Sequence, residues 1–317
     1  MRILVPDYYK DFKCLAGSCQ HSCCTGWEVD IDRDTLAYYR TVDGEIGQKL
    51  KDSIATDGET TYFCMTEDKK CPFLNENGLC DIMIELGPDK VSQICDDHPR
   101  FRNFYSDRTE IGLGLSCEAV APMIVSKQDK TQLLCIEDGE ELLWEGECDF
   151  LDLRDDIFDI LQNREKAIDA RIDDMLNMCD VSIPEKSPAW WADILYGLEK
   201  LEDSRDCYLD MLKSAAPDEM LLPDKPEIQI ALEQLAIYFV YRHLTDGLDD
   251  DMLPERIAFA AFSTRLISWI IAVMYNRNNG ITAEQMAEIC RVYSSEIEYN
   301  PDNVQALLEI MQSIQTE

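Results

Sequence analysis

The chain has 317 residues, enough for one large domain or two ordinary ones with a buried core. Its 46% hydrophobic and 29% charged residues are those expected of a soluble globular chain, and no run of eighteen apolar residues offers a membrane span. A formal charge of −34 repels nucleic-acid phosphates and anionic lipid headgroups and favours cationic partners, so neither nucleic acid nor membrane is an expected partner.

The N-terminal residues lack the apolar run and small-residue cleavage site of a secretory signal, so a reducing cytoplasm is the expected location. Fourteen cysteines then need an explanation other than disulfides, and their distribution is uneven. Residues 13–24, KCLAGSCQHSCC, carry Cys14, Cys19, Cys23 and Cys24 as C-x4-C-x3-C-C. Cys71, Cys80, Cys95 and Cys117 follow at longer intervals. Cys135, Cys148, Cys179, Cys207 and Cys290 are scattered and read as small buried hydrophobes.

Residues 1–125 have a broken texture of Gly, Pro and Cys punctuation. Residues 27–31 and 62–65 read as short strands, 34–50 as a helix, 81–86 as one or two helical turns stopped by Gly87-Pro88, and 111–115 as a strand. Residues 136–165 hold twelve Asp or Glu against two Arg, so an acidic linker is expected over residues 126–149. From residue 150 to 317 the pattern is helical. Ile228, Leu232, Leu235, Ala236, Phe239 and Val240 line one helix face after Pro226. Residues 255–275 are apolar nearly all round, as a central bundle helix should be. Thr282 with Gln285 forms a capping box, and a last helix follows Pro301. The expected fold is mainly α: an irregular cysteine-rich metal-binding domain (1–125), an acidic linker (126–149), and a helical bundle (150–317) on which the first domain packs.

Thiolates are soft, charged ligands that suit zinc or iron. The spacing has no C-x2-C knuckle, adjacent Cys23 and Cys24 sit awkwardly on one ion, and the gaps after Cys71 are bridged only by tertiary structure. Eight thiols allow two four-cysteine sites, or one site with spare thiols. Spacing does not choose between zinc and an iron–sulfur cluster.

Several phrases in order resemble the flagellin lysine-N-methylase family, and the first part also resembles cysteine-rich zinc- or iron-chelating domains. They are Pro6-Asp7-Tyr8-Tyr9, Phe12-Lys13-Cys14, Cys23-Cys24-Thr25-Gly26-Trp27, Cys71-Pro72-Phe73-Leu74, Gly78-Leu79-Cys80-Asp81-Ile82, Cys95 with His98-Pro99-Arg100, and Leu115-Ser116-Cys117-Glu118. Tyr238-Phe239-Val240-Tyr241-Arg242-His243 echoes the family in the helical part. The chain departs from the pattern with Cys117-Glu118-Ala119 in place of Cys-Pro-Glu. The resemblance implies methyl transfer from S-adenosylmethionine to flagellin lysines, with a 4Fe-4S cluster ahead of zinc on the cysteines. No C-x3-C-x2-C radical motif and no G-x-G-x-G loop locates the cofactor; Gly112-Leu113-Gly114 is too short for one.

A lysine with an unperturbed pKa near 10.4 is neutral in only about one molecule in 2,500 at pH 7, so methylation needs a base, a water path or a dry wall. The base is sought among Tyr8, Tyr9, His98 and Asp7, each of which also has a packing role available. Arg100 and Arg102 are the residues expected to bind the cofactor carboxylate, or else to neutralise thiolate charge. Arg242 and His243 read as a salt bridge at a helix end, and Trp190 and Trp191 as core. The rival readings are a non-catalytic metal-chelating protein and a helical interaction module stapled by zinc.

Overall fold

A computed structural model of the chain describes residues 1–139 and 142–315. Thirteen α-helices among them make the protein mainly α, as expected. The chain forms two compact units: Met1–Phe12, Phe101–Ser116 and Val120–Glu317 make the first, and Lys13–Arg100 with Cys117–Ala119 make the second. The three-residue return at Cys117–Ala119 brings the last motif cysteine into the unit that holds the other seven.

In chain order the elements begin with β1 (Arg2–Pro6), which belongs to the first unit. The second unit then carries α1 (Arg33–Tyr39), α2 (Gly44–Ser53), β2 (Ile54–Asp57), β3 (Thr60–Phe63), α3 (Asp81–Glu85) and α4 (Gln93–Asp97). The single helix expected over residues 34–50 is two. Gly44, at φ +82°, takes a left-handed conformation open to glycine where α2 begins. Asp32 starts α1 by accepting from the Thr35 amide at 2.9 Å. Residues 27–31 form no strand; Asp30 makes only an isolated bridge to Tyr62. β2 and β3 make a hairpin turned at Gly58, and the second strand falls two residues earlier than its expected place. The core of this unit is aromatic: Tyr39, Phe63 and Phe73 are buried, the last two with ring centroids 4.9 Å apart. Cys71 belongs to that core, and Cys24 and Cys80 pack against it.

The first unit continues with β4 (Arg100–Phe104, whose first residue falls in the second unit), β5 (Arg108–Leu113), α5 (Val120–Val125), β6 (Leu133–Glu137) and α6 (Glu145–Leu161). Then follow α7 (Ile168–Met178), α8 (Pro188–Tyr196), α9 (Ser204–Ser214), α10 (Pro226–His243), α11 (Leu253–Asn278), α12 (Ala283–Tyr293) and α13 (Pro301–Gln315). A four-stranded sheet, unexpected from the sequence, runs β4-β5-β1-β6, with β1 parallel to β5 and antiparallel to β6. The stretch expected as an acidic linker holds β6 and the start of α6, while its Glu140 and Glu141 lie outside the described residues.

Helices α10 to α13 follow their sequence signals. Pro226 opens α10, and Thr282 and Gln285 close the capping box with bonds of 3.2 and 2.9 Å. Apolar on all sides, α11 is long enough to cross a membrane by composition, but 83% of its apolar window is buried against this chain. Trp191 is fully buried on Phe262 at 4.2 Å between centroids, and Trp190 packs edge-on against it. Burying each such aromatic stabilises the fold by about 1.5–3 kcal/mol. The sheet is tied to the helices by Arg154 of α6, whose guanidinium makes 2.5 and 3.0 Å bonds to the buried carboxylate of Glu110 on β5.

Candidate functional site

Within the first unit, β4, the C-terminal end of α10, the start of α11 and α13 line an open cavity of about 380 Å³. That volume falls in the range of small-molecule sites. Its lining includes three guanidinium groups, Arg102, Arg242 and Arg256, and two carboxylates, Asp246 and Glu298. His243, Asn103 and Gln305 add neutral polar groups.

A wide helical turn delivers Glu298. Residues Ser294–Glu298 form a π-helical segment closed by the Tyr299 amide on the Ser294 carbonyl, five residues back, at 3.1 Å. Such turns interrupt a helix at a cost and recur at functional sites. Here the turn buries two carboxylates. Glu296 accepts from the Leu201 and Glu202 amides, while Glu298 accepts from His243 Nε2 at 2.7 Å, the Tyr238 hydroxyl at 3.1 Å and the Arg242 guanidinium at 3.3 Å. Arg242 also donates to the Tyr238 hydroxyl at 2.7 Å, and its guanidinium lies over the rings of Phe101 and Tyr299 at 5.1 and 4.6 Å.

Burial raises the Glu298 pKa, but the Arg242 charge and the His243 hydrogen bond outweigh it and hold this carboxyl below its ordinary value. Burial pushes His243 down against the pull of Glu298, so the ring is neutral while the carboxylate is charged. At the rim, Arg256 bonds Asp246 at 3.1 Å and Asp250 at 2.5 Å. Two glycines make room for this arrangement. A Cβ on Gly112 would strike the Phe101 ring, and one on Gly114 would strike the Tyr299 hydroxyl and come within 2.9 Å of Arg242.

The second unit holds Cys14, Cys19, Cys23, Cys24, Cys71, Cys80, Cys95 and Cys117 together, with Cys64 as a ninth thiol. Cys24 is the hub. Cys23 donates to it, which raises the Cys23 pKa and lowers that of Cys24 to about 7. Burial, aided by neighbouring thiolate charge, pushes Cys71 up to about 12 and Cys95 to about 11, and Cys80 also rises; each feels Cys24. Cys19 stands apart beside Glu118 and Cys117, and burial and the Glu118 carboxylate push it up to about 12. Glu118 accepts from the Gln20 and His21 amides at 2.7 and 2.9 Å and from the Cys19 thiol at 3.3 Å, clamping the loop that carries the first cysteines. Among the described residues no three His, Cys, Asp or Glu side chains converge as metal ligands. The donors nevertheless suit a soft metal chemically, because grouped thiols that oppose one another's ionisation are what a cation would relieve.

Residues 174–316 match the family model described as the FliB lysine N-methylase C-terminal domain. The helical part is thus similar to that C-terminal domain over residues 174–316. This bears out the resemblance to the lysine-N-methylase family, and the Arg242-to-Gln305 portion of the cavity lining falls inside the matched region. The chain is 27% identical over 136 residues to a lysine-N-methylase of Salmonella choleraesuis (strain SC-B67), covering 40% of this chain and 33% of that protein. The same identity and length relate it to the flagellar biosynthetic protein FliU of Salmonella muenchen, covering 79% of that protein, and to a lysine-N-methylase of Salmonella typhimurium (strain LT2), covering 33%. The match thus spans about a third of the length of the two lysine-N-methylases. No solved structure matches the chain.

The residues singled out from the sequence divide between the two units. Tyr8 and Tyr9 lie in the first, and Tyr8 is buried. Burial, then the Asp7 charge, pushes its phenol well up, so Tyr8 stays protonated and does not suit the role of a base. His98 lies in the second unit, edge-on to Trp27 with centroids 5.3 Å apart, and its amide closes α4 on the Ile94 carbonyl. Arg102 lines the cavity; Arg100 does not and donates to the Asp96 carbonyl at 3.3 Å. Arg242 forms the salt bridge expected at this helix end and His243 adds a hydrogen bond, both to Glu298, a partner that no motif announces. Of the five scattered cysteines only Cys290 is a buried hydrophobe, whereas Cys135 and Cys207 are exposed and Cys148 and Cys179 half-buried.

Proposed function

We propose that the protein is an S-adenosylmethionine-dependent protein-lysine N-methyltransferase acting on flagellin in the cytoplasm. The observation that carries this reading is the match of residues 174–316 to the C-terminal domain of a lysine N-methylase family. The charged cavity supports it, since buried ionisable groups gathered at a concave site are a mark of binding or chemistry. The flagellar name of one relative supports flagellin as substrate, and a chain charge of −34 favours attraction of a lysine-bearing partner.

The eight motif cysteines are the proposed metal-binding set, with a 4Fe-4S cluster preferred to zinc. Among them Cys71 lies in the core of the second unit, with Cys24 and Cys80 packed against that core. Such a centre would supply folding energy to a unit with short elements, and a cluster would supply an iron site besides. Transfer itself forms a nitrogen–carbon bond to the lysine Nζ and breaks the sulfonium–methyl bond, after the lysine ammonium has lost its proton. His98 and Tyr9 stay as the proposed bases of the second and first units.

The test is anaerobic purification followed by incubation with flagellin and S-adenosylmethionine. Methyl-lysine in flagellin peptides by mass spectrometry is the expected result. Its absence with folded, metal-replete protein refutes the activity. Iron with matching sulfide in the same preparation supports the cluster, and zinc alone refutes it.

A further inference from the structure

We infer that the cavity walled by β4, α10 and α13 binds the zwitterionic amino-acid end of S-adenosylmethionine, its carboxylate meeting Arg102 and Arg242 and its ammonium meeting Asp246. This rests on the methyltransferase reading above and assigns the cofactor a place within it. Three observations point there. The first is charge of both signs on one concave wall, in a chain whose surface is otherwise heavily acidic. Three arginines against two carboxylates give the lining a surplus positive charge, which Asp250 at the rim balances through Arg256. A near-neutral, bipolar wall matches a zwitterion. A bare lysine ammonium would instead face three guanidinium groups, so this wall does not suit the substrate side chain.

The second observation is preorganisation. Arg242 is locked between Phe101 and Tyr299 and held by Glu298 and the Tyr238 hydroxyl. A carboxylate therefore meets a guanidinium whose position is already fixed, and little side-chain entropy is lost on binding. The third is the pair of glycines, Gly112 and Gly114, whose missing side chains let Phe101, Tyr299 and Arg242 approach the strand. No motif for a dinucleotide or methyl-donor loop lies elsewhere in the sequence to compete for the role.

The test uses the full chain, purified anaerobically, and reads binding by calorimetry with S-adenosylhomocysteine and with 5′-methylthioadenosine, which lacks the amino-acid end. The variants are Arg102→Gln and Asp246→Asn, both at exposed positions, and Gln305→Glu, which adds an anion to the lining. The expected result is S-adenosylhomocysteine binding weakened tenfold or more by Arg102→Gln and by Gln305→Glu, with Asp246→Asn weaker by about fivefold. Methylthioadenosine binding should change less than twofold in each variant, a comparison that separates loss of the amino-acid contacts from loss of fold. Wild-type binding of S-adenosylhomocysteine that all three variants leave within twofold overturns the inference and leaves the methyltransferase reading standing. A wild-type protein that binds methylthioadenosine as tightly as S-adenosylhomocysteine overturns it likewise. A folded, metal-replete wild-type protein that binds neither S-adenosylmethionine nor S-adenosylhomocysteine overturns inference and reading together.

Discussion

Glu298→Gln tests the electrostatic account of the cavity wall. The glutamine keeps the size of the side chain and removes its charge, leaving the Arg242 guanidinium without its carboxylate. Breaking a buried pair by removing one partner costs about 3–5 kcal/mol. Arg242 retains the Tyr238 hydroxyl and the two aromatic faces, so the lower end applies, about 3 kcal/mol at pH 7. Denaturant unfolding should show the midpoint falling with an unchanged slope. The pH dependence supplies a second check. Glu298 is depressed in the folded state, so its contribution is present above the unfolded carboxylate value near 4.3 and is lost as pH falls through the folded value. The gap between wild type and variant should therefore narrow in acid. His243 is depressed too. The unfolded state then takes up a proton first, and stability declines as pH falls below about 6.5 in both proteins. A loss under about 1 kcal/mol at pH 7, or a gap that widens in acid, refutes the reasoning.

Replacing Glu110 with alanine strands the Arg154 guanidinium in the core and should cost about 3–5 kcal/mol, read as a lower denaturation midpoint. Gly114→Ala forces its methyl against Tyr299 and Arg242, and a loss of about 1–3 kcal/mol is expected together with weaker S-adenosylhomocysteine binding. Glu118→Gln removes the anion beside the Cys19 thiol, so iodoacetamide should label Cys19 faster at pH 8; an unchanged rate by mass spectrometry counts against the clamp. Chelation of the metal should lower the melting temperature of the whole chain, and the quadruple serine variant of Cys24, Cys71, Cys80 and Cys95 should lose both the bound metal and that response.

The helical part was legible because its signals are local. Pro226, the Thr282–Gln285 box and the apolar run within Leu253–Asn278 each act within a few turns, and the helices begin where those residues place them. The sheet was not legible, since β1 pairs with β5 and β6 across more than a hundred residues and each strand is only five or six residues long. Residues 34–50 misled because the apolar spacing continues through a break at which one left-handed glycine sits. The cavity draws Arg102, Arg242 and Glu298 from distant parts of the chain, so no spacing rule reaches it. Gly112-Leu113-Gly114 was a faint sign of it. Those glycines mark a close approach of side chains to a strand, not a loop around phosphate. Glu118, a departure from the family phrase, proves to be the residue that holds the first cysteine loop in place.

The most direct measurement of the central claim is transfer of a labelled methyl group from S-adenosylmethionine to purified flagellin by the anaerobically prepared full chain, with the modified residues located by mass spectrometry. The account predicts label on lysine Nζ, dependent on the protein and diminished by Arg102→Gln at limiting cofactor. Flagellin that stays unlabelled beside a folded, metal-replete protein that binds the cofactor would contradict it.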